Sequence, residues 1–266
     1  MIKNYFKIAW RNLLKSKWYS IINIGGLAVG LAVAILIGLW IHEELSFDRQ
    51  YKNYDRIAQV MQNQTFNGET GSQTAVPYLL GEELKKDYAN DFKNVSMASW
   101  TYDHNLTSGE KKITKSGNFF EPPVIEMLSL KMLKGSATSL NDSKSVILSA
   151  TAAKAIFGEA DAMDKILKID NRFKVMVTGI YEDLADNSTF NKLAFIAPWK
   201  LFIDSSQWPE KLSNPWRANA YQAYVQLADN ADMAKVSAKI KDVKLKKVTP
   251  QDAAFKPMVF LHPMRK

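Results

Sequence analysis

From Ile21 to Ile41 the chain reads IINIGGLAVGLAVAILIGLWI, 21 consecutive residues without a charge and with Asn23 as the only strongly polar side chain. Wound as a helix this run spans roughly 32 Å, close to the ~30 Å hydrocarbon core of a bilayer. A cleaved signal peptide fits less well. Its apolar core would be roughly 7 to 15 residues long, and the following HEELSFDRQ offers no small-residue cleavage site. A buried helix of a soluble protein is seldom apolar all round over about six turns. The pattern therefore predicts a transmembrane helix over 21–41.

The preceding residues carry a different pattern. Ile2, Phe6, Trp10, Leu14 and Trp18 recur every four positions, and Lys3, Lys7, Arg11 and Lys15 do the same one position on. An apolar stripe beside a basic one predicts that 1–20 forms an amphipathic helix in the cytoplasmic headgroup layer, held to anionic lipid at up to about 1 kcal/mol per basic residue. Ordinary topogenic charge with accidental spacing is the alternative. Inside the span, Gly26, Gly30, Ala34 and Gly38 form a stripe of small residues, the pattern that lets a second membrane helix pack closely. Lys3, Lys7, Arg11, Lys15 and Lys17 precede the span, whereas His42, Glu43, Glu44 and Asp48 follow it. This asymmetry places the N-terminus in the cytoplasm and residues 45–266 outside the cytoplasmic membrane.

Beyond the span, short strands and helices alternate. Arg56 to Phe66 and Val95 to Tyr102 read as strands, and Pro77 as the first turn of a helix with Leu80, Leu84 and Tyr88 on one face. Ser145–Ala150 reads as a buried strand leading into a helix over 151–157 that Gly158 terminates. Phe173, Val175 and Val177 alternate with Lys174, Met176 and Thr178, and Tyr221, Ala223, Val225 and Leu227 repeat the pattern. A helix over 231–243 presents Met233, Val236 and Ile240, and Met258 to Leu261 closes as a strand. The fold class is α+β: one N-terminal transmembrane helix followed by a mixed α/β extracytoplasmic domain.

Composition adds little except by exclusion. Hydrophobic residues make up 47% of the chain and charged residues 23%, as in a folded protein. The net charge of +8 is concentrated at the N-terminus, since 30 basic residues face 27 acidic ones in the remainder, which removes the case for nucleic acid. With no cysteine there are no disulfides, thiolate metal sites or cysteine nucleophile. No G-x-x-x-x-G-K-[ST], G-x-S-x-G or H-E-x-x-H occurs, and His42, His104 and His262 are too dispersed for a local metal motif. Glu43 with Glu44 and Glu82 with Glu83 are adjacent, so on a helix they diverge by about 100° and make poor acid–base pairs. The reading is of a non-enzyme with no cofactor. Two features stay open. The lysines at 235, 239, 241, 244, 246 and 247 read as a solvated face or a grip on an anionic partner. Trp199, Trp208 and Trp216, set among Pro198, Pro209 and Pro215, read as core packing or an apolar docking surface.

Several blocks carry a resemblance. NYFKIAWRNLLKSKWYSIINIGGLAVGLA followed by ELSFDRQYKNYDRI resembles the start of the FtsX-like, or MacB-like, permeases of ABC transporters. FFEPPVIEMLSLKMLKGS, SVILSATAAKAIFGEADAMDKILKID and VMVTGIYEDLADNSTF resemble successive pieces of that family's periplasmic core domain. The resemblance implies an inner-membrane permease subunit that transmits ATP-driven motion to a periplasmic domain for export or efflux. It implies as partners a separate cytoplasmic ATPase subunit, a second permease copy, a periplasmic adaptor protein and membrane lipid. It further implies two subdomains, one of about 50–115 with 218–266 and one of about 116–217. Three more membrane helices are expected after the core domain, and FLHPMRK falls about where the chain should return to the membrane. The alternative is a single-span anchored extracytoplasmic binding or sensing domain independent of an ATPase; an anchored hydrolase ranks behind both, for want of a nucleophile motif.

Overall fold

The computed structural model describes residues 2–206 and 214–264. The chain divides into two compact units, Met1–Phe47 and Asp48–Lys266. The first holds α1 (Ile2–Lys15) and α2 (Lys17–Leu45). The break falls at Ser16, whose backbone leaves the helical region (φ −112°, ψ 58°). Ser20 bridges it, donating from Oγ to the Leu13 carbonyl at 3.0 Å. The uncharged run continues at both ends as helix, so α2 takes in Lys17 to Ser20 and His42 to Leu45 as well.

The second unit is an α+β domain. Its chain runs β1 (Ile57–Phe66), β2 (Glu69–Gln73), β3 (Val76–Pro77), α3 (Leu80–Asp87), β4 (Phe92–Ala98), β5 (Tyr102–Ser108) and β6 (Lys111–Phe120). Then come α4 (Val124–Met127), β7 (Met132–Lys134), β8 (Ser145–Ser149), α5 (Ala150–Phe157), β9 (Ile166–Ile169), β10 (Phe173–Tyr181), β11 (Phe195–Pro198) and α6 (Trp199–Ser206). It finishes with β12 (Asn219–Leu227), α7 (Met233–Ile240), α8 (Pro250–Ala253) and β13 (Met258–Pro263). The strands join in the order β11-β8-β10-β9-β5-β6-β4-β12-β1-β13. Because β11 also pairs in parallel with β6, with Phe195 opposite Gly117, strands β6, β5, β9, β10, β8 and β11 close on themselves. Their inward side chains, among them Leu106, Phe119, Val146, Leu148, Leu167, Val175, Val177 and Phe195, form one buried cluster. Gly117 is required by this closure: a Cβ there would lie 2.1 Å from the Phe195 ring.

The other four strands, β4, β12, β1 and β13, are antiparallel, and α3 and α7 bury Leu80, Leu84, Val236 and Ile240 against Val60, Val225, Val259 and Leu261. A third cluster, with Tyr51, Ile57, Phe120, Tyr181, Phe190 and Tyr224, lies under the residues that open the domain. Two local expectations are corrected. Pro77, which has no N–H to give a helix interior, lies in β3 opposite Asn219, and α3 begins at Leu80. β4 ends at Ala98, because Ser99 turns its side chain to the Asn118 amide, and Tyr102 starts β5. Elsewhere the caps follow the local chemistry. Ser149 accepts from the Ala152 N–H, Gly158 leaves α5 at φ 65°, and Asp232 accepts from the Lys235 N–H to start α7 at Met233.

Candidate functional site

The residues expected to meet the membrane all lie in the first unit. In α1, Phe6, Trp10 and Leu14 form one exposed stripe and Lys3, Lys7, Arg11 and Lys15 the neighbouring one. Phe6 is 78% and Trp10 66% exposed, far too much apolar surface to leave in water. α2 has 29 residues, about 43 Å of helix, and the mean hydropathy of its most apolar stretch is 2.5, with nothing in that stretch buried. Among the described residues it is the one helix long and apolar enough to cross a membrane. Along it, nothing approaches within 4 Å of where a Cβ would stand on Gly26, Gly30 or Gly38, so the stripe that Ala34 continues is an open face in this chain. At the α1–α2 bend, Trp10, Leu13, Leu14, Ile21 and Ile24 line an apolar concavity of about 590 Å³ with Lys17 on its wall.

The first residues of the domain are fixed more tightly than the sequence reveals. Asp48 is 1% exposed and adopts φ 58°. Its N–H donates to the Asn187 carbonyl at 2.9 Å, and its carboxylate accepts from the Thr189 N–H at 2.8 Å and the Thr189 hydroxyl at 2.6 Å. One turn on, the buried Tyr51 hydroxyl hydrogen-bonds Ser188 Oγ, and its ring meets Phe190 edge-on at 6.2 Å. Burial pushes the Tyr51 phenol well above its ordinary pKa, so it stays neutral. Residues 48–51 thus grip residues 187–190, some 141 positions away, through a carboxylate, three hydroxyls and an aromatic pair. The two segments lie in widely separated stretches of the sequence, SFDRQY and DNSTF. A lone Asp in a polar stretch gives no sequence signal of burial.

The lysine-rich stretch also differs from a solvated face. Lys239 pairs with Asp91 at 2.5 Å and Lys247 with Glu83 at 2.6 Å, but Lys244 is 1% exposed. Its Nζ donates to Gln62 Oε1 at 2.7 Å and Asn219 Oδ1 at 2.6 Å, and burial lowers its pKa from 10.5 to about 8. Trp199 and Trp216 are core residues, Trp199 meeting Tyr221 edge-on at 4.9 Å, while Trp208 and Pro209 lie outside the described residues. His104 is engaged with Asp170 at 2.6 Å, and the described residues contain no His, Asp and Glu cluster suited to a metal.

Comparison with known proteins agrees with this architecture. Residues 20–243 match the family described as MacB-like periplasmic core domain. No curated protein sequence matches the chain. Among solved structures, a domain of a proposed permease protein from Porphyromonas gingivalis shares the fold at a TM-score of 0.66 and 15% identity, over 80% of this chain and 91% of that one. The periplasmic region of MacB from Actinobacillus actinomycetemcomitans gives 0.56 and 14% over 80% and 91%. The extracellular domain of the noncanonic ABC-type transporter YknZ from Gram-positive bacteria gives 0.53 and 13% over 77% and 98%. With the family match running through most of the domain and one inner-membrane span before it, the chain belongs to the MacB-like periplasmic core domain family of ABC permeases.

Proposed function

We propose that this permease domain works as a mechanical element, receiving motion from the membrane helices that a separate cytoplasmic ATPase drives and delivering it outside the inner membrane for export or efflux. The observation that carries the reading is the buried grip of Asp48 and Tyr51 on residues 187–190. A transmitter needs a stiff first link, and here the residues directly after the membrane helix are tied by side chains rather than left as a hinge. Gly26, Gly30, Ala34 and Gly38 are the packing face for another membrane helix, in a permease dimer, and Phe6, Trp10 and Leu14 with Lys3, Lys7, Arg11 and Lys15 are the lipid-facing surface of α1. The domain divides into a subdomain of about 50–115 with 218–266 and one of about 116–217; the separate buried clusters of the four-stranded sheet and the closed six-stranded sheet support two subdomains, although β5 packs with the second. A periplasmic adaptor protein receives the motion.

The test is association. The tagged permease, solubilised in mild detergent, should co-purify with an ATPase bearing a P-loop from the same operon, and the complex should hydrolyse ATP while the permease chain alone does not. Recovery of the permease without any ATPase, from cells expressing both, would favour the anchored binding domain instead.

A further inference from the structure

We propose that the cavity between the β1–β2 hairpin and residues 244–255 is a carboxylate-binding pocket. The hairpin carries Gln62, Gln64 and Phe66 on β1, and its turn at Asn67 and Gly68 is built from two positive-φ residues. Opposite it stand Lys244, Val248, Asp252 and Phe255, and Arg217 and Asn219 close the side, leaving about 180 Å³. At roughly 30 Å³ per water molecule that space takes a carboxylate bearing a short aliphatic tail.

The floor of the cavity is a polar network. Asn219 Nδ2 donates to Gln64 Oε1 at 3.2 Å and Gln73 Nε2 to the same oxygen at 2.7 Å, which orients the Asn219 amide whose oxygen holds Lys244. Gln62, for its part, donates its amide N–H to the Ala75 carbonyl. An ammonium has three N–H donors, and two of those on Lys244 are spent on neutral oxygens. Arg217 stands at the mouth with its side chain 77% exposed and Nε 3.5 Å from Asp252 Oδ1. Its terminal guanidinium nitrogens have no acceptor among the described residues. The Asp252 carboxylate also accepts from the Thr249 hydroxyl at 2.9 Å, while the Asp252 N–H donates to the same Thr249 oxygen to cap α8. Two cations against one carboxylate leave the cavity one positive charge, the complement of a monoanion. The guanidinium fork matches the two oxygens of a carboxylate. Phe66 and Phe255, 4.7 Å apart, form an apolar wall for the carbons behind it.

This inference stands apart from the mechanical role, because the pocket lies toward the far end of β1 from Ile57, which shares a buried cluster with Tyr51, on the order of 20 Å away along the strand. The ligand chemistry can come from a free small carboxylate or from the acidic end of a polypeptide. Full-length chain in lipid nanodiscs is titrated at constant ionic strength with butyrate, with butylamine, and with the tetrapeptide Ala-Ala-Ala-Leu carrying either a free or an amidated C-terminus, and thermal shift is read. Butyrate is expected to raise the melting temperature in a saturable manner and butylamine to have no effect. Arg217→Ala is expected to weaken butyrate at least tenfold, and Phe66→Ala to weaken it less. Lys244→Met, if it folds, abolishes the response, and the two other variants serve if it does not. A free-acid peptide binding at least tenfold better than butyrate identifies a polypeptide source, and equal binding identifies a small carboxylate. The proposal is overturned if chloride matches butyrate, or if Arg217→Ala leaves the butyrate response unchanged.

Discussion

Replacing Asp48 by Ala should loosen the start of the domain by an amount that the geometry sets. The carboxylate accepts two hydrogen bonds from Thr189, at 2.8 and 2.6 Å, in a site where Asp48 is 1% exposed. Asp48 is buried but Thr189 is exposed, so with the carboxylate gone the two donors reach water and what is lost is two hydrogen bonds to a charged acceptor, about 1–2 kcal/mol each. Alanine at φ 58° adds about 1 kcal/mol, because its Cβ is poorly tolerated in the left-handed region where Asp is at home. The expected loss is on the order of 3–5 kcal/mol, a large part of the stability of a domain this size. Asp48→Gly should recover about 1 kcal/mol of it by relieving the backbone alone. Thr189→Val removes only the hydroxyl and should cost about 1–2 kcal/mol. The assay is urea unfolding of residues 45–266, which hold the domain's own buried clusters, with a double-mutant cycle between positions 48 and 189. The pair should couple by about 1–2 kcal/mol with unchanged slopes. A loss under about 0.5 kcal/mol for Asp48→Ala, or strict additivity with Thr189→Val, would refute the reasoning.

Three further outcomes follow from particular contacts. Gly117→Ala places a methyl against the buried Phe195 ring and should destabilise the domain by about 1–3 kcal/mol in the same urea assay, whereas Gly71→Ala, with open space around it, should not. Lys244 has a pKa near 8 when folded and 10.5 when unfolded, so between those values the unfolded chain binds the extra proton and stability rises with pH. The gain should reach about 2 kcal/mol by pH 10 in urea melts and be absent in Lys244→Met, before ionisation of tyrosines such as Tyr51 and Tyr224 in the unfolded chain reverses the trend. Gly30→Leu with Ala34→Leu should weaken helix association by on the order of 1 kcal/mol in a membrane dimerisation assay, and Val33→Leu should leave it unchanged.

The membrane segment and the strand periodicity were legible because each is a property of neighbouring residues. Twenty-one uncharged positions from Ile21 announce α2, and the Phe173, Val175, Val177 alternation announces β10 with the correct buried face. The Ser149 cap and the Gly158 exit were equally local. What stayed hidden depends on residues far apart in the chain. Asp48 looks like any acid after a membrane span until Thr189 is brought beside it, and Lys244 looks like one more surface lysine until Gln62 and Asn219 enclose it. Closure of the six-stranded sheet rests on one parallel pairing, β11 with β6, which no local pattern encodes. Pro77 misled for a related reason: its fixed φ suits a helix start or an edge strand equally, and the pairing of Val76 and Pro77 with β12 decided between them.

The central claim is that motion driven by ATP in the membrane reaches the outer domain through the grip at Asp48. Since the chain has no cysteine, spin labels can be placed at His42→Cys, near the end of α2, and Lys192→Cys, just beyond Phe190, without background labelling. The labelled permease, assembled with its ATPase in nanodiscs, is measured by pulsed electron resonance with and without a non-hydrolysable ATP analogue. The account predicts one narrow distance distribution in each state. It also predicts broadening of both in Asp48→Ala, together with an analogue-dependent displacement of the outer domain, read from a second pair, His42→Cys and Lys246→Cys, that the same variant reduces. A distribution between positions 42 and 192 that is broad in the unmutated grip, or a 42–246 displacement that Asp48→Ala leaves at full size, would contradict it.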